Sequence, residues 1–156
     1  MRVSIIAVGK KMPRWVVESC DEYLSRMPRE FSVTLVEVDA ERRGKSLSVE
    51  TAIARESERL EKAVPRGDHV IALDERGKSR STKGITSDIE KWQRSGGDVS
   101  FLIGGADGIS AALKQSVNEV WSLSGLTLPH PMVRTLLAEQ LYRAWSLHIG
   151  HPYHRE

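Results

Sequence analysis

Residues 151–156 read "HPYHRE", placing two histidines, a tyrosine and an arginine where a chain end ordinarily frays and carries small polar groups. Imidazole exchanges protons near neutral pH, a phenol stacks or hydrogen-bonds, and a guanidinium binds anions. Tyr153, His154 and Arg155 therefore suit proton transfer on a polyanion, against the plain alternative of a solvated tail. Upstream, Pro129-His130-Pro131 opens a helix, on which Glu139 and Arg143 stand four apart. That spacing fits a surface ion pair as well as it fits an Arg143 free to meet RNA.

A second constellation is the stretch Leu123, Ser124, Gly125, Leu126, Thr127, Leu128. It is apolar and hydroxyl-bearing and offers backbone N–H and C=O groups in an apolar setting, which suits a planar heterocycle such as adenine. It brings no charge for a phosphate, and a buried connector has the same composition. "GGADG" at 104–108 follows a strand and precedes a helix, but its spacing is not the G-x-G-x-x-G of a dinucleotide cradle. "GKS" occurs at 44–46 and 77–79 without the upstream glycine of a phosphate loop; Asp39 and Ala72 stand there instead. No carboxylate pair, Ser/His/Asp spacing or metal-ligand cluster stands out, so no metal is expected.

The elements that must carry these groups alternate. Apolar runs at Val3–Gly9, Ser32–Val38, His69–Asp74, Asp98–Gly105 and Glu119–Gly125 predict five strands. Helical spacing appears over Pro13–Met27, Ser48–Val64, Thr82–Arg94, Ser110–Val117 and Pro131 to about His148. Continuous apolar strands between helices predict an α/β domain with a buried, mostly parallel sheet. Ala40–Ser48 and Asp74–Gly84 read as basic surface loops after strands, where α/β ligands bind. On the last helix Val133, Leu136, Leu137, Leu141, Ala144 and Trp145 make the apolar stripe, with Arg134 and Tyr142 pointing elsewhere.

A chain of 156 residues fits one domain, taken here as 1–156 with a tail from about 149. Lys+Arg 23 against Asp+Glu 21 leaves +2, so a nucleic-acid site must come from clustering. Lys10, Lys11, Arg14, Arg42, Arg43 and Lys45 are the candidate phosphate contacts. The single Cys20 excludes a disulfide framework, and the short apolar start is no secretory segment, so a cytoplasmic location is expected.

Taken jointly and in order, "VGKKMPRWV", "DEYLSRM", "LIGGADG", "SLSGLTLPH", "EQLYRAW" and "HPYHRE" resemble the RlmH family of SPOUT-class ribosomal RNA methyltransferases over essentially the whole chain. The resemblance implies an α/β trefoil knot, which general rules of topology treat as a rare exception. It also implies a homodimer that uses S-adenosylmethionine to methylate N3 of a pseudouridine in a loop of 23S ribosomal RNA, with the assembled ribosome as partner and neither DNA nor membrane. By the same resemblance, Leu73, Gly104, Gly105 and the loop Leu123 to Leu128 form the cofactor pocket, the glycines letting backbone approach the ligand. The catalytic candidates are His130, Arg143, Tyr153, His154 and Arg155, the tail completing a site at the dimer interface. One departure is Pro131, where many members have Gln after the histidine. The competing readings are a ribosome-associated factor without activity and a SPOUT enzyme acting on another RNA.

Overall fold

In the β-branched run Arg2–Val8 (β1), alternate side chains serve different cores: Val3, Ile5 and Ala7 enter one, Ile6 and Val8 the other. Such a strand is stable only between two layers of helices. The computed structural model, which describes residues 1–154, supplies both. β1 lies between β2 (Ser32–Val38) and β4 (Val99–Ile103), and β3 (His69–Ser79) joins β4 to β5 (Glu119–Ser122). The order β2-β1-β4-β3-β5 is parallel throughout. Every residue of β4 is buried, as a central strand covered on both faces requires.

One face carries α1 (Arg14–Leu24), α3 (Thr82–Ser95) and α5 (His130–Ile149), whose packing closes the larger core around Phe31, Phe101, Trp121 and Trp145. The other carries α2 (Val49–Ala63) and α4 (Ala111–Ser116) over Leu60, Leu102 and Leu113. Three helices start where serine stands ready: the hydroxyls of Ser48, Ser81 and Ser110 accept backbone N–H bonds from Thr51, Gly84 and Leu113. α5 instead begins on Pro129 and stops at Gly150, whose φ of 72° needs no Cβ.

Two expectations change. The segment after Asp74 is not a plain loop, because β3 continues to Ser79 through a bulge: Leu73 and then Lys78 pair with Trp121. Gly77 makes this possible, since a Cβ there would lie 2.6 Å from the Trp121 backbone. The second change is on α5, where both Arg134 and Tyr142 are buried. This helix is wedged between α1 and α3, so more than one stripe is covered. The Arg134 guanidinium donates to the carbonyls of Val8 (2.9 Å) and Gly9 (2.7 Å) and to Glu37 (2.6 Å). It thereby caps the carboxyl end of β1 and ties the second turn of α5 to the sheet.

Candidate functional site

The bulge of β3 and the carboxyl ends of β4 and β5 open onto one cleft of about 700 Å³, where an open parallel sheet places its ligands. Leu73 enters it from β3 and Gly104 and Gly105 from the turn after β4. Leu123, Ser124, Leu126, Thr127 and Leu128 come from the loop after β5, and His130 and Val133 from the first turn of α5. Of the expected cofactor residues, Gly125 alone stands outside the lining, with open space where its side chain would be.

Gly104 and Gly105 present backbone to the cleft, and the tight turn they make adds a second demand for glycine. A Cβ on Gly104 would lie 2.6 Å from the Gly108 backbone, and one on Gly105 would lie 3.1 Å from both Glu56 and Val8. Their missing side chains face protein, so they serve a tight turn, and the cleft receives the other side of the backbone. The turn is held from below. Glu56, 1% exposed, accepts the Glu41 backbone N–H (2.9 Å) and the Arg43 guanidinium (3.0 Å), and Arg43 reaches on to Asp107 at 3.0 Å. Arg43 is thus engaged in an internal network and is not free for a phosphate. Lys10 and Arg14 pair on the surface with Asp39 and Glu18, while Lys11, Arg42 and Lys45 are exposed.

The remaining walls contain residues that the sequence did not single out. Asp74, Glu75, Arg76, Asp107 and Lys114 make part of the cleft charged, while Trp121 floors it with Arg80 lying 4.7 Å from its ring centre. Thr127 donates to Glu75 at 2.8 Å and so joins the two lips. Burial pushes the Asp74 carboxyl up, but the Arg76 backbone N–H and the Lys114 ammonium outweigh it and hold the group below its ordinary range. The available signal was position: Asp74 directly follows Leu73 at the end of the apolar run that begins β3.

His130 is half-buried, and its Nδ1 is buried with no hydrogen-bond partner among the described residues. Burial, and then the charge of Arg134, hold its pKa below 6.5, against a smaller opposing pull from Glu56. The unfolded chain therefore binds more protons than the folded one over the interval between the two values. Stability from the neutral ring is complete above 6.5 and is lost as pH falls through the depressed folded value. Thermal melts from about pH 8 to about pH 5 are expected to show a steeper acid decline for the wild type than for His130→Gln; parallel curves would contradict this.

The tail is ordered against α5 by a different set of contacts. Tyr153 donates to Glu139 (3.2 Å), packs edge-on against Tyr142 (4.6 Å between centroids) and carries the Arg143 guanidinium 5.1 Å over its ring. Arg143 also donates to Glu139 at 2.8 Å, so the ion pair and the tail contact coexist. Burial first, then Tyr23 and Glu139, hold the Tyr153 phenol well above its ordinary pKa. His154 has a buried Nδ1 without a partner among the described residues, and Arg155 lies outside them. Glu139 is nine residues beyond His130, about two and a half helical turns and about 14 Å. In one subunit, the tail cluster thus packs on the middle of α5, and none of the described tail residues lines the cleft.

Among the described residues no helix is long and apolar enough to cross a membrane, and no group of three or more His, Cys, Asp or Glu side chains could hold a metal ion.

Comparison with known proteins agrees with this architecture. Residues 1–154 match a family model described as "Predicted SPOUT methyltransferase". The chain is 50% identical over 156 residues to "Ribosomal RNA large subunit methyltransferase H" of Hahella chejuensis, covering 100% of both chains. It is 49% identical over 155 residues to the protein of the same name in a Marinomonas species, covering 99% of this chain and 100% of that one. Among solved structures, TrmJ from Z. mobilis superposes with a TM-score of 0.54 at 16% identity, over 90% of this chain and 69% of that one, a likeness of fold alone.

Proposed function

The chain belongs to the SPOUT methyltransferases, and from that premise we propose that it methylates N3 of a pseudouridine in a loop of 23S ribosomal RNA, using S-adenosylmethionine and acting as a cytoplasmic homodimer on the assembled ribosome. The observation that carries the reading is the convergence of Leu73, the Gly104-Gly105 turn, the Leu123 to Leu128 loop and His130 on one cleft. The relatives' names point to large-subunit ribosomal RNA.

The cleft fits the cofactor's chemistry. Backbone amides and carbonyls of the loop after β5 would meet an adenine edge, Leu123, Leu128 and Val133 supply apolar surface, and the charged wall suits a polar end. When bound, S-adenosylmethionine supplies an electrophilic methyl on a sulfonium that is itself a good leaving group. The protein's own tasks are to orient the base and to take the N3 imide proton. Tyr153, kept protonated by its surroundings, donates or stacks and is a poor base. Proton removal then falls to His130 or His154, each with a buried Nδ1 that has no partner among the described residues. Arg143, fixed by Glu139 and stacked on Tyr153, places a cation where a base anion develops or a phosphate passes.

Because none of the described tail residues lines the cleft of its own subunit, the site is complete only when a second copy brings its tail to the first copy's cleft. A two-fold dimer does this twice. N3 is engaged in a paired helix, so the target nucleotide must be unstacked or looped out.

The decisive experiment is mass spectrometry of ribosomal and transfer RNA from a deletion strain. One methyl group is expected to vanish from a pseudouridine in 23S RNA and to return on complementation. Loss from a transfer RNA instead would redirect the substrate, and an unchanged RNA set would overturn the enzymatic reading.

A further inference from the structure

The charged side chains that line the cleft are held in two different ways. Glu75 and Arg76 are exposed at the lip, with Glu75 engaged by Thr127 at 2.8 Å, and Asp107 is engaged from outside by Arg43 at 3.0 Å. Asp74 and Lys114 instead pair with each other at 3.1 Å, with side chains only 17% and 29% exposed. Such shielding makes any further charge that reaches them interact more strongly than it would at the surface.

Their remaining valences are defined. Asp74 Oδ1 accepts the Arg76 N–H at 2.8 Å, while Oδ2 accepts from Lys114 and retains a second lone pair. The Lys114 ammonium has three N–H groups, and one is used here. Both residues are firmly based: Asp74 continues a sheet strand, and the helix bearing Lys114 is capped by Ser110, whose own N–H donates to Ser57 at 2.9 Å. A bound group with an ammonium beside Asp74 and a carboxylate beside Lys114 would complete a ring of four alternating charges, each next to its opposite.

We infer that Asp74 and Lys114 form the subsite for a zwitterionic α-amino-acid moiety, the methionyl end of the cofactor, an inference that rests on the S-adenosylmethionine reading above. The loop after β5 then holds the nucleoside, and this pair distinguishes a ligand that carries an amino-acid end from one that lacks it.

Calorimetric titration of the intact protein with three probes tests this: S-adenosylmethionine, its decarboxylated form, and 5′-methylthioadenosine, which lacks the amino-acid end. The wild type should prefer S-adenosylmethionine over methylthioadenosine by at least about tenfold, the scale of one charge-assisted hydrogen bond. Lys114→Met and Asp74→Asn should erase most of that preference and leave methylthioadenosine within about twofold of the wild type, which also reports that the variants are folded. The decarboxylated probe should bind the wild type and Lys114→Met alike, a comparison in which Lys114 matters only if it meets the carboxylate. If the wild type binds S-adenosylmethionine and methylthioadenosine equally, or the variants lose both in parallel, the subsite is overturned while the cofactor reading stands. If the wild type binds none of the three, the cofactor reading fails and the subsite with it.

Discussion

Truncation after Ile149 is expected to leave a folded dimer that titrates with S-adenosylmethionine as the full chain does, yet transfers methyl groups at least about a thousandfold more slowly, within the range that positioned proton transfer contributes. The packing supports the first half of this expectation. Trp145, Leu141 and Ala144 anchor α5 in the large core, whereas Tyr153 is half-buried and packs on Glu139, Tyr142 and Arg143 of the helix and on Tyr23. None of the described tail residues lines the cleft. The second half follows from what is removed: the phenol beside Arg143 and Glu139, and an imidazole whose buried nitrogen has no partner among the described residues. Single-turnover methylation of ribosomes, with cofactor titration alongside, separates the two. Undiminished transfer would remove the tail from catalysis, and loss of cofactor binding would place it in the cleft. Mixing the truncated chain with a full-length His130→Gln chain sharpens the test, because a site shared between copies should regain activity in the mixed dimer if His130 takes the proton.

The alternation of apolar strands and amphipathic helices was enough to place five strands and five helices, because burial on both faces of a sheet writes itself into composition residue by residue. What composition could not carry was any feature set by long-range pairing. The continuation of β3 to Ser79 depends on Gly77 lying against the Trp121 backbone, a contact between distant segments in which neither partner looks like a strand signal alone. Arg134 reads as a surface cation on a helical wheel, and only the closure of α5 over the end of β1 turns it into a buried donor to Val8 and Gly9. Arg43 looks like a phosphate ligand until the burial of Glu56 shows what it neutralises. The site divides in the same way. The α/β rule pointed to the loops after the strands in general, and the resemblance supplied Leu73, Gly104 and Gly105 within them, whereas Asp74 and Lys114 meet only through the packing of α4 beside β3. The separation of the tail from the cleft comes from where residues 151–154 fold back along α5, which the sequence of the tail does not specify by itself.

Replacing Gly105 by leucine is expected to lower affinity for S-adenosylmethionine by at least about a hundredfold, with Gly125→Ala as the matched control that changes it by less than about twofold. A side chain at 105 starts 3.1 Å from Val8 Cγ1 and Glu56 Oε1, and neither neighbour can retreat. Val8 is fixed in β1 and 1% exposed, and Glu56 is pinned between Arg43 and the Glu41 N–H. Overpacking of this kind costs about 1–3 kcal/mol even where the surroundings relax. Here the lower-cost relaxation is outward, which moves the 104–108 turn into the space the cofactor needs. Pushing Glu56 away from Arg43 would also release Asp107, so the lip of the cleft would shift with its floor. A methyl on Gly125 would have no atom within 4 Å, and φ there is not positive, so alanine meets nothing. Isothermal titration of both variants, with urea melts to confirm that Gly105→Leu remains folded, decides the matter. Equal, small effects at the two positions would mean that the turn after β4 merely borders the ligand, and would move the cofactor's weight onto the loop after β5.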